Sequence, residues 1–179
     1  MEKNSSEVWV YIQHRDREVL EPSLEVLGKA CELAESLQAP VAGILTGDKV
    51  DILAEKVLLY GAQKVYVMQS RHLENYSSSI FAKALCKLAR SKQPAIFLFA
   101  ATPQGRDLAP RIASALKVGL TADCTDLKIG SHTDRKRHKE YKKILLQVRP
   151  AWGGNVIATI ISPETRPQMA TIREGIMKM

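Results

Sequence analysis

Short runs of β-branched and aromatic residues alternate with apolar stripes at helical spacing through the first 117 residues, which limits the chain to very few folds. VWVYI at 8–12 is followed by Leu24, Leu27, Cys31 and Ala34, with Val26, Ala30, Leu33 and Leu37 on an adjoining stripe. This spacing predicts a strand and then an amphipathic helix with a broad apolar face. Pro22 and Ser23 suit the helix start, and Pro40 lies just past its end. VAGILTG at 41–47, KVYVM at 64–68 and AIFLFA at 95–100 predict three more strands. Helices are expected from about Val50 to Tyr60, closing on Gly61, and from Ser79 to Ser91. The unbroken apolarity of AIFLFA requires cover on both faces, as in the middle of a parallel sheet. The alternation as a whole implies right-handed βαβ units and an open, doubly wound, mainly parallel α/β sheet.

Beyond residue 117 the pattern changes. LTADCTDLKIG at 120–130, KILLQVR at 143–149, NVIATIIS at 155–162 and MATIRE at 169–174 are strand-like with no helix between them. Consecutive strands joined by loops normally pair antiparallel, so an antiparallel C-terminal extension on the parallel core is expected. At 179 residues and 45% hydrophobic composition the expectation is a single domain over 1–179. No apolar run approaches the roughly 20 residues of a membrane-spanning helix, and MEKNSSEVWV has no secretory character, so a cytoplasmic protein is expected.

Catalytic and metal motifs are missing. Cys31, Cys86 and Cys124 are odd in number and far apart, which fits reduced thiols. His14, His72, His132 and His138 have no partner at metal-ligand spacing, and there is neither a GxSxG elbow nor a P-loop lysine. The net charge of +7 invites a nucleic-acid reading, but DRKRHKEYKK at 134–143 alone accounts for +4 of it. Such a run between two strand-like segments reads as a solvated hairpin tip, with an electrostatic docking patch as the alternative. Only Tyr141 interleaves an aromatic with these cations, which argues against nucleic acid as a partner.

In an open α/β sheet, ligands gather at the carboxyl ends of the strands where strand order reverses. That directs attention to Gln13–Asp16 and to ATPQGRDLAPR at 101–111. Pro110 is poorly tolerated deep in a helix, so the helix is expected to start with Asp107 as N-cap, and Gly105 to make the turn from the strand. Arg106 would then face the strand ends, available to an anion or a partner domain, with Arg111 one turn into the helix. The second dense cluster is RPAWGGNVIATI at 149–160. Its glycines mark a tight turn or a close backbone approach, and Asn155 suits a positive φ or a main-chain bond. Trp152 is either a local lid on the core or an aromatic anchor at an interface.

GRDLAPRIA at 105–113, GLTADCTDL at 119–127, RPAWGGNVIATI at 149–160 and RPQMATIREGIM at 166–177 resemble the alpha subunit of electron transfer flavoproteins, the FixB type included. The resemblance covers nearly the whole chain and implies a Rossmann-like fold of the adenine nucleotide alpha hydrolase-like kind. It implies that TIREGIM closes a first domain, and that the FAD of the family lies in a second, C-terminal domain that is absent after Met179. It further implies a heterodimer with a beta subunit that carries AMP or a second FAD, and dehydrogenases as electron donors. This chain would be an electron-carrier subunit and not an enzyme: a scaffold and docking domain, with no cofactor of its own and redox-inert alone. Matched block by block, the residues expected to face the partner or its nucleotide are Arg106, Asp107, Arg111, Gly154 and Asn155. The alternative is a free-standing nucleotide-binding module similar to universal stress proteins, whose glycine-rich phosphate motif is missing here.

Overall fold

The alternation along β1 (Val8–Ile12) sets the layers. Val8, Val10 and Ile12 enter one apolar cluster with the inner face of α1 (Glu21–Leu37), while Trp9 and Tyr11 enter a second cluster on the opposite side. A strand buried on both faces needs helices on both, and each fully buried Leu, Val or Phe contributes about 1.5–3 kcal/mol to that arrangement. The computed structural model describes residues 6–151 and 156–178.

Between β1 and α1, the two-residue strands β2 (His14–Arg15) and β3 (Glu18–Val19) form a small hairpin. Gln38 ends α1 in the left-handed conformation, two residues before Pro40. β4 (Val41–Gly47) follows, then a 3₁₀ turn at Asp51–Leu53 that runs into α2 (Ala54–Leu59), which stops before Gly61 at φ 104°. β5 (Lys64–Gln69), α3 (Ser78–Lys92), β6 (Ile96–Ala100) and α4 (Pro103–Leu116) complete the helix-rich half. α3 and α4 bury Phe81, Leu85, Leu108 and Ile112 in the cluster that holds Trp9 and Tyr11.

The strand-rich half differs from expectation in one respect. Of its strands only β8 (Asp126–Asp134), β9 (Lys139–Pro150) and β10 (Ile157–Ile160) form the antiparallel sheet. β7 (Leu120–Cys124) and β11 (Gln168–Ile172) belong to the parallel sheet, whose order is β5-β4-β1-β6-β11-β7. The last strand thus inserts between β6 and β7, parallel to both. β8, β9 and β10 run down, up and down beside the main sheet, returning the chain from the carboxyl end of β7 to the amino end of β11. This excursion does for β7 and β11 what a crossover helix does in a βαβ unit. The basic segment lies where expected, at the β8–β9 hairpin, with Asp134 opposite Lys139.

Candidate functional site

α4 begins five residues before the expected position. Thr102 is its N-cap, with an extended backbone and an Oγ1 that accepts the Gly105 N–H at 3.0 Å, and Pro103 opens the first turn. Asp107 is therefore not the N-cap, and Pro110 lies inside the helix, where its ring removes the bond that the Arg106 carbonyl would have accepted. Gly105 belongs to the first helical turn, pressed against the Ala100 carbonyl. Thr102 also donates to Gln13 Oε1 at 2.7 Å, which ties the end of β1 to the start of α4 across the point where strand order reverses.

This crevice is filled by the chain itself. Beside it, Gln104 donates to the Tyr11 hydroxyl at 2.9 Å, and the cavity lined by Tyr11, His14, Thr46, Tyr76 and Gln104 measures about 80 Å³. Pockets for cofactor-sized ligands run to about 300–1,000 Å³. The close approach that Gly105 permits is occupied by Ala100, and the Gly105 N–H already meets Thr102, so this glycine offers a phosphate no cradle. A larger cavity of about 680 Å³ lies at the other end of the sheet, lined by Arg90, Gln93 and Leu116 where α3 and α4 end. Among the described residues, its lining holds neither a helix N-terminus nor a glycine-rich turn, the usual cradle of a pyrophosphate. The described residues therefore do not fit FAD at either place, and among them no group of three His, Cys, Asp or Glu could hold a metal ion.

At the carboxyl end of the sheet, the structure gathers Arg106, Asp123 and Arg173. Arg106 Nε donates to the Ala101 carbonyl at 2.6 Å and its Nη2 lies 3.4 Å from Asp123 Oδ1. Arg173 forks onto the same carboxylate, Nη2 to Oδ2 at 2.6 Å and Nε to Oδ1 at 3.3 Å. Asp123 can be reached by both because β7 bulges against β11 there, leaving Asp123 at φ 62° with its N–H on Thr171 Oγ1. The Arg173 bonds hold its carboxyl below the usual range against the effect of burial, and Arg106 and Arg149 add to this. One acid thus contacts two arginines and feels the charge of a third, and the exposed guanidinium edges of Arg106 and Arg173 remain open to an anion or a partner.

Asp107 and Arg111 stand apart from this group. Arg111 Nε donates to Asp107 Oδ1 at 2.9 Å one turn along α4, and the Tyr76 hydroxyl donates to Asp107 Oδ2 at 2.8 Å. The Tyr76 bond, with Arg111, lowers the Asp107 pKa, while burial and the same carboxylate raise that of Tyr76. Asp107 therefore holds the segment before α3 against α4. Gly154 and Asn155, with Trp152 and Gly153, lie outside the described residues. Asp123 and Arg173 escaped the reading by spacing because they are separated by 50 residues, although both lie in segments singled out above.

The family model for the electron transfer flavoprotein domain matches residues 8–179. The chain belongs to the electron transfer flavoprotein family. It is 42% identical over 172 residues to an electron transfer flavoprotein subunit alpha of Thermoanaerobacterium thermosaccharolyticum, covering 96% of this chain and 49% of that protein. The subunit alpha of Clostridium acetobutylicum is likewise 42% identical over 171 residues, covering 96% and 48%. Protein FixB of Rhizobium meliloti is 37% identical over 175 residues, covering 95% and 46%. The chain spans about half the length of these curated relatives. Among its described residues, no helix is long and apolar enough to cross a membrane.

Proposed function

We propose that this electron transfer flavoprotein domain is the scaffold and docking domain of an alpha subunit, paired with a beta subunit in a heterodimeric FAD electron carrier that serves dehydrogenases. The observation that carries this reading is the filled switch-point crevice: the fold's usual ligand position is closed by Gln13, Thr102 and Gln104, while charged and apolar surface beside it stays open. FAD, when held by the remainder of such a subunit, supplies the one- and two-electron chemistry. The residues of this chain position and dock. Arg106 and Arg173 offer guanidinium groups oriented by Asp123. β10 is an edge strand whose Ile157 is 72% exposed, an open row of backbone groups that a partner strand can cover. The same closed crevice speaks against a free-standing nucleotide-binding module.

Co-expression with a beta subunit of the same family tests this directly. A complex of equal stoichiometry that retains flavin or AMP only through the partner is the expected result. A chain that remains alone and itself retains nucleotide would overturn the reading.

A further inference from the structure

The hairpin between β8 and β9 and the segment 161–167 meet at the amino end of the sheet, opposite Arg106. Together with the C-terminal ends of α3 and α4 they frame a two-lobed groove. One lobe, of about 680 Å³, is lined by Arg90, Leu116, Pro163, Glu164, Arg166 and Pro167 among others. The second, of about 360 Å³, adds Arg137, Tyr141 and Ile161 and shares Pro163 and Glu164 with the first.

The charges in this groove are unevenly committed. Glu164 accepts Arg137 Nη1 at 2.9 Å and the Tyr141 hydroxyl at 2.7 Å, and lies 3.6 Å from Lys139 Nζ. Asp134 accepts the backbone N–H groups of Lys136 and Arg137. Both acids at the groove are thus already engaged. Arg90 is fixed by its bond to the Ala115 carbonyl at 2.8 Å. Arg166, which lines the larger lobe, and Arg135 and Lys136, which stand on the hairpin tip next to Asp134 and Arg137 of the second lobe without lining it, form no ion pair among the described residues, and all three are exposed. Leu116, Pro163 and Pro167 supply the apolar part of the larger lobe's wall.

We propose that this groove receives an acidic, partly apolar peptide segment of a partner protein, with carboxylates on Arg166 inside the larger lobe and on Arg135 and Lys136 of the adjoining hairpin tip, and apolar side chains against Leu116 and Pro163. The argument is charge complementarity: a cluster of cations whose own acids are spent attracts an acidic segment and orients it on approach. Two joined lobes with mixed walls suit an extended chain better than a small anion. A single-stranded nucleic acid needs aromatic faces for its bases, and among the described residues Tyr141 is the only aromatic lining either lobe. Its hydroxyl is bonded to Glu164, and Lys139 Nζ lies 4.7 Å from its ring centroid. The inference uses neither Arg106 nor the beta subunit, so it stands or fails separately from the proposed function.

The test is fluorescence anisotropy with a short labelled peptide of glutamates interspersed with leucines. Its lysine-for-glutamate counterpart and an oligothymidylate of similar charge serve as competing probes. Binding of the acidic peptide at about 20 mM salt, weakened severalfold at about 200 mM, is expected. It should fall about tenfold in a variant carrying Arg135→Ser, Lys136→Ser and Arg166→Ser, and less steeply in Arg166→Glu alone. A control with Lys83→Ser and Lys87→Ser on α3 should bind as the parent does. Equal loss in that control, no preference over the lysine peptide, or tighter binding of the oligothymidylate would overturn the proposal.

Discussion

The carbonyl oxygen of Ala100 occupies the space that the Cβ of any residue other than glycine would need at position 105. The first turn of α4 is packed onto the end of β6 through that contact, and the Thr102–Gln13 bond sits beside it. Gly105→Ala should therefore destabilise the domain by about 3 kcal/mol, since the obstacle is backbone and cannot rotate away. Gly175 is the comparison: its φ of 73° strains a side chain, but nothing lies within 4 Å. Gly175→Ala should cost about 1 kcal/mol. Urea denaturation of both variants measures the contrast, and equal losses would refute the packing account.

Glu7 predicts part of the acid sensitivity. Its carboxylate is buried at the amino end of β1 and accepts Trp9 Nε1 at 2.7 Å, Lys64 Nζ at 2.7 Å and the Tyr66 hydroxyl at 3.2 Å. Burial works against the charge, but the bonds from Lys64, Trp9 and Tyr66 outweigh it and hold the pKa below 4.5. A pKa depressed by folding adds stability that is present above the unfolded value and lost as pH falls through the folded one. Glu7→Gln should flatten the decline in melting temperature below about pH 4.5 and lower stability at pH 7. An unchanged acid limb would show that Glu7 is not among the groups that cause it.

Arg106 and Asp123 should separate docking from folding. Arg106 is exposed, and its longer contact with Asp123 belongs to the class of surface pairs worth about 0–1 kcal/mol. Arg106→Ala should leave the melting temperature within a few degrees of the parent while weakening assembly with the beta subunit about tenfold or more, as loss of an interfacial arginine does. Asp123→Ala should be more harmful to the isolated domain, because Arg173 loses both bonds. Titration of the partner and thermal melting of both variants decide this. Undiminished assembly in Arg106→Ala would remove that residue from the site.

Flavin content is the simplest check on the filled crevice. After incubation with excess FAD and desalting, the purified chain should show no visible absorption per mole of protein. Enlarging the crevice by Gln104→Ala should not create a flavin site, since the Gly105 N–H still meets Thr102 and Ala100 still fills the approach to Gly105. Stoichiometric flavin in the protein peak would show that this domain holds the cofactor itself.

The layering of the fold was legible because it is a local property. Trp9 and Tyr11 alternate with Val8, Val10 and Ile12 at the period of a strand, and α1 repeats its apolar positions at the period of a helix. The start of α4 was not legible, since Thr102–Pro103 and Asp107 are both acceptable helix openings in isolation. Packing selects the first, because only then does Gly105 meet Ala100. The hairpin tip at 134–139 was readable from its charge, but the pairing of Glu164 with Arg137 and Tyr141 was not.

What the sequence determined by itself is therefore the set of elements, their buried faces and the family to which their motifs point, all carried by residues a few positions apart. The tertiary structure alone decided that β11 inserts between β6 and β7, and so brought Arg173 to Asp123 and left Arg106 beside them. Any strand with a buried apolar face satisfies the same local pattern. Which neighbours it joins depends on how the whole sheet closes its edges and fills both layers, a condition that no short stretch of chain contains.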